Sequence, residues 1–266
     1  MSITLKTVSD AKMKPAGIVI HSKAGTGKST FLIDAINDAE NGILFQCGED
    51  SIGDLGVKVP HYPDVIGSGD SIEDYIRGWE DFIEILRQLV VEKHGYTSVG
   101  FDNLDNIINN NLDAYVVTKY YNGDLQKANA WGGDKLKEMY SEFSRVIKAF
   151  EILQSRGISV FVSTHSQTVK AKDPRLDEYK RWSFNMPSRE DYSLRNLLLN
   201  WSSATLFGTI DTVVNEKGKA EGDEHVLFTK QNAAYEAKSR YSIPEKIDFK
   251  YSTFKEEIKK SMKEKK

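Results

Sequence analysis

The 266-residue sequence predicts an α/β fold, a mainly parallel central sheet flanked by helices with a β-hairpin at its C-terminal edge. Three observations lead there. Short apolar runs rich in β-branched residues alternate with longer segments of helical periodicity. The first run passes through a glycine-rich turn directly into a helical pattern. Late in the chain the pattern changes to two extended runs joined by a polar turn.

Each element follows from its own pattern. Gly17–Ile20 is a continuous apolar run of strand length, and Lys28–Asp38 is the helix after it. Gly42–Cys47 reads as the second strand. In Ser71–Lys93, Ile72, Tyr75, Ile76, Trp79, Phe82, Ile83, Leu86 and Val90 recur at helical spacing and make one apolar face. Thr97–Phe101 is the third strand, Gly133–Gln154 the third long helix and Ile158–Ser163 the fourth strand. Residues 165–192 are polar and weakly periodic, and read as a long mobile loop. Ala204–Val214 and His225–Gln231 then form the hairpin strands, with Asn215–Glu224 as the turn. The divisions expected are an N-terminal segment over 1–14, a single domain over 15–250 and a Lys-rich tail over 251–266 that reads as a solvated, frayed helix.

Composition narrows the function classes. With 39% hydrophobic and 28% charged residues, 6 prolines and 19 glycines, the chain is that of an ordinary globular domain. A net charge of −3 advertises no general affinity for nucleic acid, although local patches matter more than the sum. Cys47 is the only cysteine, so an intrachain disulfide or a cysteine-rich zinc site is excluded. The N-terminal residues lack an apolar core, and no apolar run approaches the ~18 residues that span a bilayer. The expectation is a cytoplasmic protein.

The glycine-rich turn carries the chemistry. Gly25-Thr26-Gly27-Lys28-Ser29-Thr30 follows a strand and opens a helix, the context a phosphate-binding loop requires. Glycines let backbone N–H groups converge on phosphate oxygens, and the helix N-terminus adds donors and a positive dipole end. In the loop Ser22–Thr30 (Ser22, Lys23, Ala24, Gly25, Thr26, Gly27, Lys28, Ser29, Thr30), Lys28 is the cation for the β- and γ-phosphates and Ser29 the hydroxyl for Mg²⁺. Ser22 stands where the full pattern begins with glycine. No Asn-Lys-x-Asp guanine signature is present, which favours ATP.

Turnover needs further groups. Asp102 ends the third strand, where an acid accepting from metal-bound water belongs. Asn103 follows it, in the place where many AAA+ ATPases carry a glutamate. Glu49, at the exit of the second strand, is the candidate for orienting the attacking water, with Asp50 adjacent. His165, after the fourth strand, is the candidate sensor of the γ-phosphate.

These elements in this order resemble the RecA-like branch of P-loop ATPases, and within it the phage-encoded nucleotide-binding proteins that include single-strand annealing and recombination proteins. The resemblance covers roughly Pro15 to Lys246. It rests on Gly25–Thr30, Glu49, Asp102, His165, Asn200-Trp201 before Leu206-Phe207, and Ala237-Lys238-Ser239-Arg240-Tyr241. It implies a RecA-like core, a Mg²⁺-dependent ATPase, a glutamate that polarises water at Glu49 and a γ-phosphate sensor at His165. It also implies a basic pair, Lys238 and Arg240, directed at the ATP of a neighbouring copy in a homo-oligomer, and contact between single-stranded DNA and the segment after the fourth strand. Where related phage proteins tend to carry Asp after the Trp, this chain has Ser202-Ser203.

Within that segment Lys170, Lys172, Arg175, Lys180, Arg181 and Trp182 combine cations that track phosphates with an aromatic that stacks on bases. A lid whose aromatics pack on the body is the competing reading. Three functions are therefore carried forward: an ATPase acting on single-stranded DNA in phage recombination or replication, a nucleotide-gated loading module with little hydrolysis, and a P-loop small-molecule kinase.

Overall fold

The protein is described from a computed structural model, over residues 15–130, 134–173, 176–214 and 220–263; for residues 172, 173, 176, 177, 212–214 and 220–222 the description is of backbone alone. The elements run β1 (Gly17–Ser22), α1 (Lys28–Asn37), β2 (Gly42–Gln46), α2 (Ser51–Leu55), α3 (Ile72–Val91), β3 (Ser98–Asp102) and α4 (Leu104–Asn106). A π-helical stretch, Ile107–Leu112, leads into α5 (Asp113–Tyr121), followed by α6 (Leu125–Asn129), α7 (Lys135–Ser155), β4 (Ser159–Asp173) and β5 (Leu176–Phe184). The chain then makes α8 (Leu194–Trp201), β6 (Ala204–Val214), β7 (Ala220–Phe228), β8 (Lys238–Ser239), β9 (Lys246–Asp248) and α9 (Tyr251–Lys263).

The sheet order is β2-β3-β4-β1-β6-β7-β9, with β5 on β4 and β8 on β6. Strands β2, β3, β4, β1 and β6 are mutually parallel, and β7 and β9 add antiparallel at the edge. This is the α/β architecture expected, hairpin at the edge included. Alternation along each strand explains the layers. In β1, Ile18 and Ile20 join one cluster with Phe31, Leu32 and Phe254, whereas Val19 joins another with Trp79, Phe82 and Phe143. Phe161 and its neighbours Val160 and Val162 divide in the same way. Helices α1 and α9 therefore cover one face, and α3, α7 and α8 the other.

Two sequence expectations change. Much of residues 165–192 is strand and not loop: β4 continues past the sheet to Asp173 and pairs antiparallel with β5, from Ser166↔Phe184 to Lys170↔Lys180 and beyond, and only 185–192 stay irregular among the described residues. The strand pattern was hidden because polar residues such as Gln167, Lys170, Lys180 and Arg181 occupy an arm that stands off the main sheet. The tail is the second case. α9 is amphipathic and buries Phe254, Ile258 and Ser261 against the sheet, beside Phe31 of α1. Its lysines lie on the outer face, as with Lys255, which pairs with Asp38 of α1. The expected turn Asn215–Glu224 is shortened by β7, which begins at Ala220, and residues 215–219 lie outside the described residues.

Among the described residues no helix is long and apolar enough to cross a membrane. Phe254 is 1% exposed and meets Phe31 and Tyr241. Phe254→Ala is expected to destabilise the fold by about 3–5 kcal/mol, read as a fall in the urea midpoint at unchanged slope.

Candidate functional site

Parallel pairing brings the C-terminal ends of the central strands to one edge, the place where open α/β sheets bind ligands. Register then decides which side chains meet. Ser22 of β1 lies opposite His165 of β4, Gln46 of β2 opposite Asp102 of β3, and Phe101 opposite Val162. One step past each pair, Asp102 lies beside Ser163 and the β2 exit lies beside Asn103. The cavity there measures about 330 Å³ and is lined by Ala24, Gly25, Gly27, Lys28, Ser29, Thr30, Glu49, Ser51, Asp54, Leu55, Asn103 and His165.

The loop is formed as the motif requires. Gly27 is the N-cap of α1 with φ of 110°, a backbone conformation that favours glycine. Ser22 is fully buried with an ordinary strand conformation. Its hydroxyl pairs with Thr26 Oγ1 and also donates to the Lys23 carbonyl at 3.1 Å, so serine ties the loop to its own strand where glycine would leave a gap. Lys28 Nζ folds back on the Lys23 carbonyl at 3.2 Å. Burial pushes the Lys28 ammonium below the ordinary lysine range, opposed by the charges of Asp102, Asp105 and Glu49.

The acids separate by role. Asp50 caps α2, its carboxylate accepting from Gly53 N at 2.8 Å. Glu49 instead faces the cavity, where its Oε1 accepts from Asn103 Nδ2. Gly48, at φ of 81° with Asn106 only 2.7 Å from where a Cβ would stand, makes the turn that aims Glu49 inward. Asp102 is fully buried behind the cavity wall; Oδ2 accepts from Ser51 Oγ at 2.8 Å and Oδ1 from Ser163 Oγ. Ser163 Oγ also lies 2.8 Å from Asn103 Oδ1. The donors on Asp102 are neutral hydroxyls, so its charge is left to Lys28 and to whatever cation enters. Among the described residues no cluster of three or more His, Cys, Asp or Glu could hold a metal ion. Ser29 and Asp102 would suit Mg²⁺, which keeps several waters and takes few protein ligands beside the substrate phosphates.

His165 lines the cavity and uses Nδ1 on Asp105 Oδ2 at 3.1 Å, while its backbone N–H donates to Asp105 Oδ1 at 3.0 Å. Asp105 also receives Asn185 Nδ2 at 3.2 Å. His165 therefore stands at the junction of the cavity and the β4–β5 arm. Sequence reasoning missed Ser51, Ser163 and Asp105, and it read Asn103 only as an absent glutamate. The signal available was the polar run Asp102-Asn103-Leu104-Asp105 at a strand end.

The remaining candidates fall elsewhere. Lys238 pairs with Thr205 at the N-terminal end of β6, away from this chain's loop. Lys238 and Arg240 both reach the Asn200 carbonyl at 3.5 Å. Arg181 is held by Glu236 at 2.9 Å, and Trp182 packs against Phe207 and Tyr235 with Lys23 Nζ 4.6 Å above its ring. Those two side chains, expected to meet nucleic acid, have partners in the protein body, as in the lid reading. Lys170 and Lys180 are exposed and directly opposite across the arm, and Lys170 pairs with Glu178. Arg175 and the side chain of Lys172 lie outside the described residues.

The fold and this cavity define a P-loop nucleotide-binding domain. The family model described as AAA domain (AAA_24) matches residues 14–241, and the chain belongs to that family. Solved structures with a similar fold include a prototypical ATPase from the type III secretion system of pathogenic bacteria, at 14% identity and a TM-score of 0.46 over 74% of this chain and 51% of that one. The chain thus spans about half the length of that ATPase. A KaiC-like protein from Pyrococcus horikoshii OT3 matches at 10% identity and a TM-score of 0.39, covering 89% of this chain and 90% of the other. No curated protein matches.

His21 immediately precedes the loop and is fully buried. Its Nε2 donates to the Glu236 carbonyl at 2.6 Å, so Nδ1 of the neutral ring accepts from Ser166 Oγ at 2.9 Å. Burial lowers its pKa to about 4. The unfolded chain, near 6.5, then binds a proton that the folded chain refuses. Stability is complete above pH 6.5 and is expected to fall by up to ~1.4 kcal/mol per unit as the pH drops toward 4, measured by urea unfolding across that range.

Proposed function

We propose that the protein is a Mg²⁺-dependent ATPase of RecA-like type whose nucleotide state is transmitted to the β4–β5 arm, and that the arm engages single-stranded DNA. The observation that carries this reading is Glu49, turned by Gly48 onto the wall facing the phosphate loop and held there by Asn103. A carboxylate so placed orients a water for in-line attack and takes its proton.

The loop amides and Lys28 bind the triphosphate and offset its charge. Lys28 exchanges the Lys23 carbonyl for phosphate oxygen. Ser29 and Asp102 would hold the metal, which would supply charge neutralisation at the phosphates. His165 meets the γ-phosphate with the ring nitrogen that Asp105 leaves free, and loss of that phosphate changes its hold on the arm.

The DNA part is supported by Lys170 and Lys180, exposed side by side on the arm. Lys238 and Arg240, remote from this chain's loop, are proposed to serve the triphosphate of a second copy. The kinase reading is less well supported, because Arg181 and Arg189 of its would-be lid are paired with Glu236 and Asp134.

ATP turnover measured with and without single-stranded DNA, beside Lys28→Ala, tests the reading. Glu49→Gln is expected to retain ATP and slow turnover by about 10²-fold or more. DNA is expected to raise wild-type turnover. Unchanged turnover and unchanged ATP affinity in the presence of DNA would remove the DNA part, whereas tight ATP binding with negligible turnover, with and without DNA, would leave the nucleotide-gated module.

A further inference from the structure

A second polar cavity, about 510 Å³, opens between the arm and the start of α8. Its wall includes Asn109, Gln167, Lys170, Asn185, Ser188 and Arg195. It lies on the arm face that carries Gln167 and Val169; Thr168 and Trp182, paired across the arm, project to the other face. Neither this cavity nor Arg195 has a role in the nucleotide chemistry above.

Arg195 is the unusual member. Its side chain is 17% exposed, and its Nε is buried without a hydrogen-bond partner among the described residues. The nearest carboxylate is Glu236, with Oε2 at 3.9 Å from that Nε. Glu236 is already engaged: Oε1 takes Arg181 at 2.9 Å and Oε2 accepts from Ser183 Oγ. One carboxylate thus faces two buried guanidinium groups. Burial and the neighbouring Arg181 both push Arg195 below the ordinary arginine range, with Glu236 opposing. A buried cation with an unmade hydrogen bond is costly unless something supplies the missing acceptor. No amide oxygen of the wall supplies it: Gln167 Nε2 donates to the Phe184 carbonyl at 3.1 Å and Asn109 Nδ2 to the Asn185 carbonyl at 2.8 Å, and among the described residues neither amide oxygen is a hydrogen-bond partner of Arg195 Nε.

We infer that this cavity is an oxyanion-binding site, in which Arg195 receives a phosphoryl or carboxylate group. The guanidinium fork matches the paired oxygens of either group, and the amide oxygens of Gln167 and Asn109 can accept N–H or O–H groups from the rest of the ligand.

The test uses the full chain carrying Lys28→Ala, which weakens phosphate binding at the loop. Its Tm is followed against inorganic phosphate and, separately, acetate, each against chloride at equal ionic strength. At least one is expected to raise the Tm by about 3 °C at saturation. A response to phosphate alone assigns the phosphoryl group, and an equal response to acetate assigns the carboxylate. Adding Arg195→Gln is expected to abolish the shift; any binding left at the loop is common to both proteins and cancels. Should Arg195→Gln fail to fold, Arg195→Lys, which keeps the charge and loses the fork, is expected to weaken the response about tenfold in anion concentration. A Tm that responds to neither anion, or that responds equally in the presence and absence of these substitutions, overturns the inference.

Discussion

The site depends on one contact, the hydrogen bond from Asn103 to Glu49 across the ends of β3 and β2. Parallel pairing alone brings strand ends together without fixing a side chain. Asn103 does that in two directions, donating to Glu49 and lying 2.8 Å from Ser163 Oγ, which in turn donates to buried Asp102. Glu49 and Asp102, the acids proposed to orient water and to serve the metal, are thereby brought together by one asparagine and one serine. A side chain whose direction is fixed by its neighbours can place a general base. Glu49, on the neighbouring strand, is the carboxylate proposed for the role that a glutamate beside the strand acid fills in many AAA+ proteins.

The same logic runs outward from His165. Its ring and backbone both hold Asp105, Asp105 holds Asn185, and Asn185 N–H bonds back to the His165 carbonyl at 2.8 Å. This closed circuit sits where β4 leaves the main sheet and becomes the arm. On the other side of the arm, His21 holds Ser166 and the Glu236 backbone, while Glu236 holds Arg181 and Ser183. The arm is fixed at its root by polar contacts on both faces, and each route begins beside the phosphate loop.

What the sequence made legible was local. The phosphate loop announces itself because backbone geometry demands Gly25 and Gly27 at fixed offsets from Lys28. The parallel strands are legible because both their faces are buried, leaving continuous apolar runs such as Gly17–Ile20. Glu49 and His165 stood out by position at strand ends. The rest was set by tertiary contact. Ser51 and Ser163 matter only because register places them on Asp102. The arm eluded periodicity because its polar strands pair with each other off the main sheet, with Phe184 buried at its root. Arg181 and Trp182 are of residue types common to nucleic-acid surfaces and to packed lids; Glu236, far along the chain, pairs with the first and the Phe207–Tyr235 cluster packs the second. The tail looked solvated from its lysines, whereas Phe254 and Ile258 at helical spacing dock it.

A double-mutant cycle on ATP turnover, comparing Glu49→Gln, Asn103→Ala and the pair, tests the central contact most directly. If Asn103 acts by holding Glu49 on the cavity wall, its removal slows wild-type turnover but adds little once Glu49 is already glutamine. Losses that multiply in the double variant would contradict the account, because the two residues would then act independently.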